Sequence, residues 1–264
     1  TLAMIFNKAS TRTRVSFEVG MVQLGGYPLF LSAADLQLGR GESISDTAKT
    51  LTSYLDGIMI RTYSHDSVAE LAEVATIPVI NGLTDLLHPC QVLADLFTVR
   101  EYKGVLEGLK LTYIGDGNNM AHSLLTGCAM VGMDISVVTP QGYRPDLAIV
   151  NQAKEIGLET GAKVEMETVI EEAIARSDVV YTDVWTSMGQ EEEMKERLAA
   201  FKGYQVNSEL MKLAKADALV MHCLPAHRGE EITSEVMDGP NSVIFAQAEN
   251  RLHAQKGLLA ALLG

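Results

Sequence analysis

Short apolar runs alternate along the chain with longer segments in which apolar residues recur every three or four positions. The runs are Leu2–Phe6, Pro28–Leu31, Gly57–Ile60, Pro78–Ile80, Leu109–Ile114, Ile135–Thr139, Val179–Thr182, Ala218–Met221 and Val243–Phe245. Each has the length of a strand buried on both faces. The longer segments are Thr13–Leu24, Ser45–Leu55, Ser67–Val74, Pro89–Tyr102, Ala121–Val131, Pro145–Ile156, Ser208–Ala214 and Glu249–Leu263, and their spacing predicts helices. Strand–helix alternation of this kind predicts parallel sheets covered by helices on both faces. The expected fold is therefore α/β, with two doubly wound domains of mainly parallel sheet and a cleft between them. The break is expected near Lys103–Gly108, where two glycines follow a long helical segment. Residues 1–104 and 105–246 would form the two domains, with a C-terminal helix at 247–264 packing back on the first.

Composition narrows the function classes. The 264 residues carry 34 acidic and 21 basic side chains, a net charge of -13, which argues against general nucleic-acid binding. An anionic small molecule is still compatible, because a few arginines focused in a cleft can hold a phosphate inside an acidic protein. No uninterrupted apolar run approaches the roughly 20 residues needed to span a bilayer. Cys90, Cys128 and Cys223 are far apart and odd in number, which points to a reducing compartment rather than a disulfide framework. The chain opens at Thr1, directly in an apolar stretch and without an initiator Met, so a preceding segment is expected to be missing.

Five stretches could carry chemistry, most of them where a strand ends. Ser10-Thr11-Arg12-Thr13-Arg14 lies between the first strand and the first helix. Free N–H groups, hydroxyls and guanidinium forks there suit an anion, and a plain helix cap with surface arginines is the blander alternative. His88-Pro89-Cys90-Gln91 opens a helix with His88 and Gln91 about one turn apart, either as donors for a carbonyl oxygen and an acceptor for an amide NH2 or as a structural cap with a core cysteine. Asp183 ends a strand, followed by Ser187-Met188-Gly189. His222-Cys223-Leu224-Pro225 ends another. Zinc there would match no standard spacing, and His222 is badly placed as a base for a nucleophilic Cys223, since neighbouring strand residues diverge. Gly115-Asp116-Gly117-Asn118-Asn119 mimics the start of a dinucleotide fingerprint, but Met120 stands at the third glycine position and no acidic residue ends the next strand. Nicotinamide binding is therefore not expected.

These motifs, in this order and over essentially the whole chain, resemble the aspartate/ornithine carbamoyltransferase family. Asp183 with Ser187-Met188-Gly189, and Cys223 where the aspartate branch has Pro, resemble its ornithine branch. The resemblance implies transfer of the carbamoyl group of carbamoyl phosphate to the δ-amine of L-ornithine, giving citrulline and phosphate. It implies that Ser10, Thr11, Arg12 and Thr13 hold the phosphate, and that Arg61, His88, Gln91 and Arg251, with Cys223 and Leu224, meet the carbamoyl group. Gln37 resembles a residue lent by a neighbouring subunit, which implies a homotrimer or a multiple of it. Asn119, Asp183, Ser187 and Met188 would line the ornithine pocket, and Arg61, His88, Asp183 and Cys223 would carry the catalysis. No cofactor or metal is implied, because an acyl phosphate already carries the energy of transfer. A sibling acting on putrescine or an N-acylated ornithine is the nearest rival, and a silent binding homologue the rival of another class. The stretch Ala226–Ile232 resembles bacterial and archaeal members, which favours the cytoplasm.

Overall fold

A computed structural model describes residues 1–36, 41–186 and 191–264. The chain divides into two compact units, Thr1–Ala94 with Glu249–Gly264, and Asp95–Ala248.

The first unit holds strands β1 (Leu2–Phe6), β2 (Pro28–Ser32), β3 (Gly57–Arg61) and β4 (Val79–Leu83). They pair in the order β2-β1-β3-β4, all parallel. Its helices are α1 (Thr11–Gln23), α2 (Ile44–Thr52) and α3 (His65–Val74), with the start of α4 (Pro89–Lys103) and most of α11 (Ile244–Leu263). β1 is buried throughout and divides its side chains by the period of two. Leu2, Met4 and Phe6 pack with Phe17 of α1, Cys90 of α4 and Leu259 of α11, while Ala3 and Ile5 pack with Ala48 of α2 and Val68 and Leu71 of α3. Helices therefore cover both faces, as a strand apolar on both sides requires. The C-terminal helix belongs to this unit because Leu259 and Leu263 complete its core; a methyl group on Gly57 would lie 2.9 Å from Leu263.

The second unit holds β5 (Lys110–Ile114), β6 (Asp134–Val138), β7 (Val164–Glu167), β8 (Val179–Thr182) and β9 (Leu219–His222). Their order is β7-β6-β5-β8-β9, again all parallel. Around them lie α5 (Asn119–Met130), α6 (Leu147–Thr160), α7 (Ile170–Ile174), α8 (Met194–Ala200), α9 (Ser208–Met211) and α10 (Ser234–Met237). One core groups Ile114, Val138, Val180 and Val220 with Ile174, Val236 and Ile244. In both units the sequence winds outward in two directions, from β1 and from β5. Such sheets offer ligand positions at the carboxyl ends of the strands where the order reverses.

One expected strand is absent. Val243–Phe245 is not a strand, because α11 begins at Ile244. In a strand Val243 and Phe245 would face the same side, yet Val243 is buried and Phe245 is 65% exposed. Only the residues just before the helix behave as sheet: Val220 N–H donates to Asn241 O at 2.9 Å, and Val243 N–H to Val220 O at 3.0 Å. The apolar run was too short for periodicity to separate a helix start from a strand. β7 and the short helices α7, α8 and α10 were not expected. β7 is an edge strand of sequence VEME, pairing only with β6, so it lacks the apolar signature of a buried strand.

Candidate substrate-binding sites

The first cluster is built in the first unit. Ser10 caps α1, its Oγ accepting from Thr13 N–H at 3.1 Å. The remaining N–H groups of the first turn and the helix dipole make this end attractive to an anion. Thr11, Arg12 and Thr13 stand on that first turn, and Thr13 is fully buried. Its Oγ1 accepts from Arg251 Nη2 at 3.1 Å and from Arg61 Nη1 at 3.4 Å. Arg61 ends β3 opposite an irregularity in β4: Ile60 pairs with Asn81 but Arg61 with Leu83, so Gly82 is an extra residue. A bulge of this kind re-aims the side chains beside it. The site of the bulge is close-packed, since a Cβ on Gly82 would meet Met59 Sδ at 2.5 Å.

Arg251 is the most enclosed charge of this cluster, at 1% exposure. It donates from Nη1 to Gln91 Oε1 at 2.6 Å and from Nε to Gln255 Oε1 at 2.8 Å. Gln255 in turn donates to Ser16 Oγ at 2.7 Å. These acceptors are neutral, so they orient the guanidinium without cancelling its charge. His88 precedes α4 and is buried. Its ring is held well below the ordinary histidine range, first by burial and then by the Arg251, Arg61 and Arg12 guanidiniums. His88 is thus a neutral imidazole near pH 7, able to present one N–H and one lone pair. Cys90, buried at the second position of α4, is pushed up to about 11 by burial and donates to Asn81 O; it is a packing residue rather than a nucleophile.

The second cluster is built in the second unit. Asp183 follows β8 and is buried. Its Oδ1 accepts from Val184 N–H at 2.8 Å and from the Cys223 thiol at 2.9 Å, and its Oδ2 accepts from Asn118 Nδ2 at 2.9 Å. An ionised carboxylate has about four lone-pair positions, so room remains for an ammonium. Asn118 also caps α5, its Oδ1 accepting from Met120 and Ala121 N–H. Half-buried Cys223 follows β9, with Leu224 next to it at φ 59°. Leu224 N–H donates to His222 Nδ1 at 2.8 Å, and His222 Nε2 lies 3.1 Å from Glu231 Oε1. Nδ1 must then be the acceptor and Nε2 the donor, which makes His222 a fixed neutral tautomer. Asp183, His222 and Cys223 each offer a ligand atom within 4.8 Å of one another. With both His222 nitrogens engaged, this trio suits a braced loop better than a metal centre.

Of the residues singled out from sequence, the first unit brings Ser10, Thr11, Arg12, Thr13, Arg61, His88, Gln91 and Arg251 to one region, and the second joins Asp183 and Cys223 directly. Cys223 and Leu224 stand in the second unit. Asn119 is the first residue of α5 and half-buried, while its neighbour Asn118 makes the bond to Asp183. Gln37, Ser187 and Met188 lie outside the described residues. Gln255 was missed. Its one signal is the four-residue spacing from Arg251 on a helix, which places the two side chains side by side.

A doubly wound α/β protein with an arginine cluster at a helix N-terminus in one unit and a carboxylate–thiol pair in the other is the class this geometry defines. Residues 1–101 match the carbamoyl-P binding domain, and residues 107–262 the Asp/Orn binding domain, of aspartate/ornithine carbamoyltransferase. The chain belongs to the aspartate/ornithine carbamoyltransferase family. It is 61% identical to the ornithine carbamoyltransferase of Oceanobacillus iheyensis over 263 residues, 100% of this chain and 82% of the relative. It is 60% identical to that of Methanothermobacter thermautotrophicus, covering 100% of this chain and 87% of the relative. The solved ornithine carbamoyltransferase of Pyrococcus furiosus is similar at TM-score 0.97 and 56% identity, over 100% of this chain and 84% of that one. That of Gloeobacter violaceus is similar at 0.91 and 54%, over 100% and 86%. Among the described residues, no helix is long and apolar enough to cross a membrane.

Proposed function

We propose that this chain transfers the carbamoyl group of carbamoyl phosphate to the δ-amine of L-ornithine, releasing citrulline and phosphate. The observation that carries the choice of ornithine over aspartate is the buried Asp183 carboxylate, gripped by Asn118 and Cys223. An anion at the end of β8 attracts a cationic amine and repels a second carboxylate.

In this reading the first unit holds carbamoyl phosphate. Ser10, Thr11, Arg12 and Thr13 take the phosphate at the α1 N-terminus. Arg61, Arg251 and the neutral His88 face the carbonyl oxygen, where negative charge develops as the amine attacks. Gln91, already bonded to Arg251, orients the carbamoyl amide. The second unit holds ornithine, with Asp183 on the δ-ammonium and Asn119, Ser187 and Met188 on the rest. The amine must lose its proton before attack, because a free alkyl ammonium is charged near pH 7. The Cys223 thiol donates to Asp183, so Cys223 can accept the amine's proton only after passing its own to that carboxylate. The amine nitrogen then bonds to the carbonyl carbon and gives its second proton to the departing phosphate as the carbon–oxygen bond breaks, and the phosphate leaves into the arginine cluster.

We also infer a homotrimer, or a multiple of it, in which a neighbouring subunit lends Gln37, and a cytoplasmic site of action. Support for both is the resemblance of Asp35–Arg40 and Ala226–Ile232 to family members. The test of the activity is an acceptor panel of ornithine, putrescine, N-acetylornithine and aspartate with carbamoyl phosphate. Product with ornithine alone is expected; product with another amine and none with ornithine would move the assignment to a sibling activity.

A further inference from the structure

We propose that the buried Arg197–Asp116 ion pair is a positioning pair for the amine substrate: it fixes the loop that grips Asp183, and so governs ornithine binding and not carbamoyl-phosphate binding. The proposal rests on the second cluster being the ornithine site. Arg197 lies on α8 and Asp116 just after β5. Arg197 Nη2 donates to Asp116 Oδ2 at 2.6 Å, with side chains 3% and 9% exposed. The guanidinium lies over the Tyr143 ring, 4.9 Å from its centre, and 5.9 Å from that of Phe201, on which Trp185 stacks. The second carboxylate near it is the exposed Glu193, 3.7 Å from Nε.

The loop Asp116-Gly117-Asn118 uses two side chains on two elements. Asn118 holds Asp183 at the end of β8, and Asp116 holds Arg197 on α8. In sequence, Asp183 and Arg197 bracket Ser187 and Met188, which lie outside the described residues. The loop backbone is fixed as well. Tyr113 donates its hydroxyl to Asp116 O at 2.8 Å, and Gly117 N–H donates to Tyr143 O at 2.8 Å. No side chain fits at Gly117, where a Cβ would meet Pro145 N at 2.2 Å. A displacement of Asp116 is therefore passed to Asn118 rather than absorbed between them.

Stability is a poor reason for such a pair. Buried ion pairs can often be replaced by apolar side chains without loss, and an aromatic bed of Tyr143, Trp185 and Phe201 would accept Met or Leu at 197. A directional bond fixes a loop where an apolar contact would only fill space. Burial and the neighbouring Asp183 charge push the Asp116 carboxyl up, to about 6, against the pull of Arg197. Arg197 thus keeps Asp116 ionised beside a second carboxylate, which an apolar residue could not do.

The test uses the whole chain with Asp116→Asn, Arg197→Met and Arg197→Lys, measuring KM for each substrate, kcat and thermal midpoint. Ornithine KM is expected to rise about tenfold or more in Asp116→Asn and Arg197→Met, with carbamoyl-phosphate KM and saturated kcat changing less than about threefold. Arg197→Lys should recover part of the ornithine affinity. Lowered midpoints with unchanged ornithine KM, equal increases in both KM values, or failure of all three variants to fold would each make the pair merely structural and overturn the proposal. A wild-type chain that forms no citrulline overturns the ornithine reading and this proposal with it. Wild-type turnover with unmoved ornithine KM in the variants overturns this proposal alone.

Discussion

Replacing Thr13 by Val tests whether the arginine pair is organised around one hydroxyl. The change is close to volume-neutral, and the site is fully buried, so packing is nearly kept. The cap of α1 survives, because it uses Thr13 N–H and Ser10 Oγ rather than the Thr13 side chain. What disappears is the common acceptor of Arg251 Nη2 at 3.1 Å and Arg61 Nη1 at 3.4 Å. A hydrogen bond to a charged group contributes about 1.5–3 kcal/mol, and the longer bond counts for less than half of that. The sum is about 2–4 kcal/mol of lost orientation. If that loss falls on carbamoyl-phosphate use, kcat/KM for this substrate drops about 30- to 700-fold at one decade per 1.4 kcal/mol. Steady-state kinetics at saturating ornithine reads it, with Thr13→Ser as the control that keeps the hydroxyl. Wild-type kcat/KM in Thr13→Val, or an equal loss in the ornithine parameters, would refute the reasoning.

Three further outcomes follow from the geometry. His88 is held below its ordinary value of 6.5 in the folded chain, so the unfolded chain binds more protons and stability is lost as pH falls below about 6.5. The thermal midpoint of His88→Gln should therefore fall less than that of wild type between pH 7 and 5; parallel curves would contradict this. Cys223→Ala should lower kcat if Cys223 takes the amine's proton, and a change confined to ornithine KM would reduce it to a binding residue. Gly117→Ala should cost about 1–3 kcal/mol of stability through backbone overpacking, read by denaturant unfolding, and an unchanged midpoint would show that the loop can yield.

Strand positions were legible where burial on both faces left an apolar run, complete in β1 and broken only by the last residue of β3 and of β8. Edge strand β7 was not, because its alternating glutamates carry no such run. The start of α11 was misread because three apolar residues fit either period. In the candidate sites, strand ends announced themselves: Ser10 caps α1, and Asp183 and Cys223 follow β8 and β9. The contacts made across the chain were not legible. Arg251 reaches Thr13 over 238 positions, and Arg197 reaches Asp116 over 81. Nothing local to either arginine marks its partner. Asn119 was assigned to the amine pocket by resemblance alone, and nothing in the sequence marked Asn118 as the one that both caps α5 and bonds Asp183.

The most direct measurement is the product balance with carbamoyl phosphate and ornithine as the only substrates. One citrulline for each phosphate released, abolished or strongly reduced in Asp183→Asn, is the predicted result. Phosphate released without citrulline, or carbamoyl transfer to aspartate but not ornithine, would contradict the assignment of the Asp183–Cys223 cluster to a cationic amine.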